Sequence, residues 1–270
     1  INNHNYWGVG TNYLVATINS AALVEELCGY LLASYPERFA LFEHAPVDKI
    51  ILKKDSASLL IRNNKVDCKR VVLCTNGFEN LDIINDFGHD TNAKFHQEIR
   101  GVIGYMAGYK ESSDKAPGAF AYFDRKNPND YHSAYFYLTR RPYSIKSEGK
   151  YNLVCIGGPE QNLEEGLKYN PRSAYPEYAK EEMANFIKNN LTKNEKDKIE
   201  YRFFWHGLMG YTRNGLRMVG AEPCNKVLLY NLGCNGVGIL SSIFGGHRIG
   251  QIIAGKRLAA SIFDPFRQKC

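Results

Sequence analysis

Along this chain the apolar residues recur at two spacings, and each spacing predicts a different kind of element. Leu23, Val24, Leu27 and Leu31 repeat at the three-and-four spacing of one helix face. Ser20 stands where a helix cap belongs, Glu25 and Glu26 fall in the early turns, and Pro36 ends the segment. A helix is therefore predicted over Ala21–Ser34. Shorter apolar and β-branched runs predict extended segments at Phe39–His44, Val47–Lys53, Ser58–Arg62 and Val66–Cys74. Arg62-Asn-Asn-Lys65 reads as a hairpin turn, because Asn tolerates left-handed backbone. Asn80 to Lys94 is polar and mixed, and reads as a linker. Gln97–Tyr109, 131–140 and 151–158 read as strands, with a turn beginning at Arg141-Pro-Tyr143. Pro176 opens a second helix, with Glu177, Glu181 and Glu182 early, Lys188 late, and Tyr178, Met183, Phe186 and Ile187 on its apolar face. Lys193–Lys198 reads as an exposed stretch, and Ile199–Trp205 as extended.

The last third carries the most informative stretch. Lys226-Val-Leu-Leu-Tyr230 reads as a buried strand, and Ile249, Ile252, Ile253 and Leu258 recur at helical spacing after it. Between them stand Gly233, Gly236 and Gly238. Glycine permits positive φ and lets a ligand lie against bare main chain. A helix that starts there aims unpaired N–H groups and a positive dipole end at whatever lies before it. The order Gly-Cys-Asn-Gly-Val-Gly is not the Gly-x-Gly-x-x-Gly of a dinucleotide turn, so spacing alone suits both a plain strand-to-helix turn and a site for an anionic or electron-rich group.

Composition narrows the classes. At 270 residues the chain is long enough for one or two domains with a sizeable core. A hydrophobic share of 44% and a charged share of 23% suit a soluble globular protein. The net charge of +6 is spread over scattered lysines, so no basic face speaks for nucleic acid. Seven Cys form no Cys-x-x-Cys pair, which suggests reduced, buried thiols in a cytoplasmic protein and no metal site. There is no signal peptide and no apolar run long enough to span a bilayer, so no membrane partner is expected.

Three stretches then carry a resemblance. Asn231-Leu-Gly-Cys-Asn-Gly-Val-Gly-Ile239, Trp205-His-Gly-Leu-Met-Gly-Tyr-Thr-Arg-Asn-Gly-Leu-Arg-Met-Val-Gly220 and Arg70-Val-Val-Leu-Cys-Thr-Asn-Gly77 resemble, in order, landmarks of the D-amino acid oxidase-like family of FAD-dependent oxidoreductases. Asn214 and Arg217 replace that family's usual Asp and Pro. The resemblance implies an α/β fold: an incomplete Rossmann-like FAD-binding domain, residues 1–95 and 205–270, around an inserted antiparallel α+β substrate domain, residues 96–204. It also implies an N-terminal strand–glycine–helix unit for the ADP part of FAD. Gly8-Val-Gly10 has no strand before it and no third glycine, so the chain is expected to be the C-terminal portion of a longer protein.

The residues expected to hold FAD on this resemblance are Val47 beside the adenine, Thr75, Asn76 and Gly77 beneath the cofactor, Gly207 and Leu208, and Gly233, Asn235, Gly236, Val237, Gly238 and Ile239 at the turn. Met209 stands near the place where one branch of the family attaches flavin to a Cys, so FAD is expected to be non-covalent. Met209 also stands where another branch has a carboxylate-binding Arg, and Cys155 where the first has an oxygen-activating Lys. Arg140, Tyr137 and His206 are the remaining candidates for catalysis, since an Arg of the 140–141 pair would suit an acidic substrate. Arg140 and Arg141 at a hairpin end, a sheet-face Tyr137 and a packing His206 are the structural alternatives. The implied activity is oxidation of the C–N bond of an amine or amino acid to an imine, with oxygen or another electron acceptor. The alternative is a truncated, non-catalytic product unable to hold FAD alone.

Overall fold

The computed structural model describes residues 6–10, 18–76, 81–91, 98–124, 136–145, 149–164, 167–191 and 199–265, with backbone alone at 6–10, 123–124 and 145. The chain is mixed α/β and divides into two units. One comprises residues 1–19, 103–161 and 170–207, and the other residues 20–102, 162–169 and 208–270.

The second unit opens with helix α1, Ser20–Ser34, which stops ahead of Pro36 as its spacing predicts. None of its residues is buried, and Leu23, Val24 and Leu27 are exposed. Strands β2 (Lys49–Leu52), β3 (Ala57–Ile61), β4 (Asn64–Cys68) and β6 (Asp82–Asn85) form one sheet in the order β4-β3-β2-β6. Strands β5 (Val71–Leu73), β12 (Met218–Glu222) and β13 (Asn225–Leu232) form another, with β13 parallel to β5 and antiparallel to β12. Both sheets feed one apolar core through Ile50, Leu52, Leu73, Ile83, Leu228 and Leu232. Asn225 ties them together, donating from Nδ2 to Lys53 O at 3.1 Å and to Asn85 Oδ1 at 2.9 Å.

The first unit is built on a six-stranded sheet, in the order β1-β8-β9-β10-β7-β11. Its strands are β1 (Tyr6–Gly10), β7 (Ile99–Glu111), β8 (Gly118–Asp124), β9 (Phe136–Ile145), β10 (Gly149–Asn162) and β11 (Tyr201–Thr212). Residues 99–102 of β7 and 208–212 of β11 belong to the second unit. Helix α2, Glu177–Asn190, follows Pro176 as predicted and buries Ala179, Met183, Phe186 and Ile187 against Tyr105, Tyr122, Phe136 and Leu138 of this sheet. Tyr178 stays exposed, with its ring 5.9 Å from that of Tyr105.

Several expectations need correction. Phe39–His44 is not a strand: Phe42 is exposed, and His44 takes φ 54° in a turn. Val66–Cys74 divides into β4 and β5, which join different sheets. In the β3–β4 turn the left-handed residue is Arg62, at φ 53°, whose N–H donates to Asp48 Oδ2 at 2.8 Å. The expected linker contains β6, whose Ile83 is buried, as is Leu81 just before it, while its backbone pairs with β2. Arg141-Pro-Tyr143 is strand rather than turn. Pairing of β9 with β8 stops at Arg140, so Pro142 sits where β9 keeps only the β10 partner, a place that tolerates a missing N–H. The expectations for 131–135 and Lys193–Lys198 lie outside the described residues. Cys28, Cys68, Cys74, Cys155 and Cys234 are free thiols, but Cys224 is disulfide-bonded, so the reduced state does not hold throughout. Among the described residues no helix is long and apolar enough to cross a membrane.

Candidate functional site

Strand β13 delivers the chain into a turn, Gly233-Cys-Asn-Gly-Val237, and helix α3, Gly238–Ile253, starts at once. Three residues of this turn take positive φ: Gly233 at 79°, Asn235 at 46° and Gly236 at 79°. Space adds to conformation at Gly233, where a Cβ would lie 2.6 Å from Thr212 Cγ2.

Two other stretches clamp the turn. Asn76, just past β5, takes φ 64° and presents both of its oxygens. Its backbone O accepts from Gly233 N–H at 3.1 Å, and its Oδ1 from Cys234 N–H at 2.9 Å. On the β11 side, Asn235 N–H donates to Gly210 O at 3.1 Å, while Asn235 Oδ1 accepts from Thr212 N–H at 2.9 Å. Thr212 Oγ1 donates to Leu216 O at 2.6 Å.

Beneath the turn lies a buried guanidinium. Arg217 donates from Nε to Asn231 Oδ1 at 2.6 Å, from Nη2 to Asn231 O at 3.0 Å and from Nη1 to Gly233 O at 3.5 Å. Asn231 in turn donates to Ser242 O of α3 at 3.1 Å. The helix comes this close because Gly245 has no side chain: a Cβ there would lie 2.1 Å from Asn231 Oδ1. Burial pulls the Arg217 guanidinium below its ordinary value, with the Cys234 and Cys74 thiols acting in the opposite sense. Burial also raises the Cys74 thiol, and Arg217 opposes that rise.

This surface fits an electron-rich group. No side chain caps α3, so the N–H groups of its first turn have no side-chain acceptor. Thr75 Oγ1, beside Asn76, is buried without a hydrogen-bond partner. Val237 and Leu240 are exposed, leaving the helix start open. An orphaned hydroxyl, open glycine main chain and an uncapped helix start are what the polar edge of a flavin ring would use.

Of the expected cofactor residues, Asn76 is hydrogen-bonded to the turn, with Thr75 next to it, and Gly233, Asn235, Gly236, Val237, Gly238 and Ile239 make up the turn and the start of α3. Gly77 lies outside the described residues. Val47 is half-buried against the core of the second unit. Gly207 and Leu208 are mid-strand in β11, and the β11 residues that bond the turn are Gly210 and Thr212.

The three expected catalytic residues lie in the first unit, and strand geometry separates them. Alternation along β9 puts Phe136, Leu138 and Arg140 on the face packed by α2, and Tyr137, Thr139 and Arg141 on the other. Arg140 Nε is paired with Glu111, its Nη1 donates to Ala116 O at 3.2 Å, and its guanidinium lies 5.6 Å from the Phe120 ring centroid. His206 places Nε2 3.0 Å from Ser173 O, with its ring 6.0 Å from that of Tyr105 on the α2 face. Tyr137 covers its cross-strand partner Gly157: a Cβ there would lie 2.5 Å from Tyr137 Oη and 2.2 Å from Met106 Sδ. Arg140 and Tyr137 therefore do not face one pocket. Arg141 shares the face of Tyr137, donates to Ile18 O at 3.5 Å, and forms no ion pair among the described residues.

The sequence matches the model of the FAD dependent oxidoreductase (DAO) family over residues 14–252. The chain belongs to this family. Among solved structures, this family member is similar to glycine oxidase from Geobacillus kaustophilus, at 16% identity and a TM-score of 0.57, covering 85% of this chain and 54% of that one. It is also similar to iminodiacetate oxidase from Chelativorans sp. BNC1, at 10% identity and a TM-score of 0.55, covering 89% of this chain and 58% of that one. The chain thus spans little more than half the length of either, and at these identities the likeness is one of fold. No curated protein matches the sequence.

Sequence reasoning missed Thr212, Arg217 and Asn231 as parts of the glycine turn. Thr212 and Arg217 stand inside the second family-like stretch, and Asn231 opens the first. A buried Arg where the family pattern has Pro was the available signal.

Proposed function

We propose that this chain forms the flavin-holding and substrate-facing parts of an oxidoreductase that oxidises the C–N bond of an amine or amino acid to an imine, with FAD bound non-covalently. The clamped glycine turn ahead of the uncapped helix α3 carries this reading. Gly233, Asn235, Gly236, Val237, Gly238 and Ile239 would hold the polar edge of the flavin by main chain, helped by Thr75 Oγ1 and by Asn76. Val47, Gly207 and Leu208 keep the secondary contact roles that the family likeness assigns, and the β12-β13-β5 sheet would be part of a Rossmann-like FAD domain. FAD, when bound, supplies the two-electron acceptor for the hydride that leaves the carbon beside nitrogen.

The remaining work falls to side chains of the six-stranded sheet. Among the described residues Arg141 has no carboxylate partner, and it lies on the same face of β9 as Tyr137, opposite α2. That suits a substrate carboxylate, whereas the pairing of Arg140 with Glu111 leaves Arg140 to hold β9 against the end of β7. His206 serves packing through Ser173 O. An amine must shed its proton before oxidation, and bulk water can accept it.

The test is flavin retention followed by turnover. The purified chain is mixed with FAD, gel-filtered, and its visible spectrum recorded, then bleached anaerobically with amines and amino acids. Gly236→Val should abolish retention, because Gly236 sits at φ 79°. Arg141→Met should raise KM for amino acids and leave simple amines unaffected. Equal retention by Gly236→Val and the parent chain would sink the turn assignment.

A further inference from the structure

Arg217 is 8% exposed, yet every hydrogen-bond acceptor it meets is neutral: the side-chain and backbone oxygens of Asn231, and Gly233 O. It forms no ion pair with any described carboxylate. Glu98 and Asp264 line the cleft beside it, but Asp264 is bonded to Arg248 at 2.5 Å and Glu98 makes no ion pair with it. A buried charge without a counter-charge is costly, and an uncharged residue could fill the same space. Its fork is aimed at the backbone that enters the glycine turn, and Asn231 connects it to α3 through Ser242 O. A guanidinium stays charged at any working pH, so its field on the turn is permanent.

We propose that Arg217 is a positioning residue with an electrostatic role: it is the fixed positive charge of the Gly233–Gly238 turn, and it selects for a bound group that becomes negative there. It acts through the turn and the start of α3, adding to the dipole of the helix. Where the group is flavin, as proposed above, the charge favours the reduced, anionic form over the oxidised, neutral one. The departure from the family's usual Pro thus gives this chain an electronic control of its own.

Two measurements on the full 270-residue chain test this, and the first needs no flavin. The pH dependence of Cys74 alkylation by iodoacetamide, read by peptide mass spectrometry, reports the field of Arg217 at the end of β5. Arg217→Met or Arg217→Gln should move that profile to higher pH, and Arg217→Lys should restore it. An unmoved profile overturns the proposal whatever flavin does. The second measurement is sulfite titration of the FAD-loaded chain, since the adduct places negative charge on the flavin. Arg217→Met should weaken sulfite binding about tenfold, with Arg217→Lys recovering most of it. If the variants hold FAD and bind sulfite like the parent chain, the electrostatic role falls while the flavin reading stands. A merely structural role predicts that Lys and Met fail alike. If the parent chain retains no FAD, the flavin reading fails for this chain taken alone, and the Cys74 profile by itself decides whether the turn carries the charge.

Discussion

The turn around Arg217 and the aromatic sheet around Tyr109 both bury polar atoms, yet they treat them in opposite ways. In the turn, the side chains of Arg217, Asn231, Thr212 and Asn76 all bond main-chain groups, Arg217 two of them. The side chains there exist to hold a backbone shape. In the sheet, Tyr105, Tyr109, Tyr122 and Phe136 pack as bodies against α2, and the Tyr109 and Tyr201 hydroxyls are buried with no hydrogen-bond partner among the described residues. At those two residues the ring is what matters and the hydroxyl is carried along, whereas Tyr105 Oη donates to Gln161 Oε1 at 2.9 Å. A region that presents main chain to a ligand has its backbone held by side-chain bonds, with Thr75 Oγ1 left over for the ligand. A region that presents a packed face can leave a polar atom unanswered.

Three substitutions sharpen this contrast. The largest effect is expected from Gly245→Ala. A helical Gly→Ala change normally stabilises by up to about 1 kcal/mol, but here the new Cβ would strike Asn231 Oδ1 and displace the acceptor of Arg217. The expected outcome is a loss of about 3 kcal/mol in denaturant unfolding, and a gain in stability would show that the contact is not made.

Tyr230→Phe comes next. Tyr230 Oη donates to the buried Glu222 Oε2 at 2.7 Å, so removing it leaves a buried acceptor short of a donor and should cost about 2 kcal/mol at neutral pH. Burial first, and Glu222 second, raise the Tyr230 hydroxyl well above its ordinary value. Its contribution is therefore full below about pH 10 and is lost as pH climbs from there toward the folded value. Above about pH 10 the parent chain should lose stability more steeply than Tyr230→Phe. Parallel slopes in that range would contradict the assignment.

The smallest effect is expected from Tyr109→Phe. Its hydroxyl is buried without a partner, so deletion should be neutral or stabilising by up to about 1 kcal/mol. A clear loss in the same unfolding assay would mean that the hydroxyl does have an acceptor, and that the two regions follow the same rule.

Much of the chain's local structure was legible in its sequence. Helix α1 ends before Pro36, α2 follows Pro176, and the glycine-rich stretch turns between β13 and α3, because caps, prolines and glycines act on their own few residues. The turn's own residues could be named for the same reason. Membership of the oxidoreductase family was also legible, since three short stretches in a set order carried it.

Other features were decided only by partners distant in the chain. Ile83 and Ile84 look like part of a polar linker until β2 supplies a ladder for them. Pro142 looks like a turn until the loss of β8 alongside makes it tolerable in a strand. Arg140 and Arg141 are neighbours in sequence, but α2 covers only one face of the sheet. That sends Arg140 to Glu111 and leaves Arg141 without a carboxylate among the described residues. The burial of Arg217 beneath the turn arises in the same way, from β12 and β13 pairing antiparallel and carrying Arg217, Asn231 and Gly233 together. Local signals determined which elements form and where the chain turns. Which side chains are paired and which stay available depended on which face each element turned toward another, and that is settled only when the sheets and helices pack.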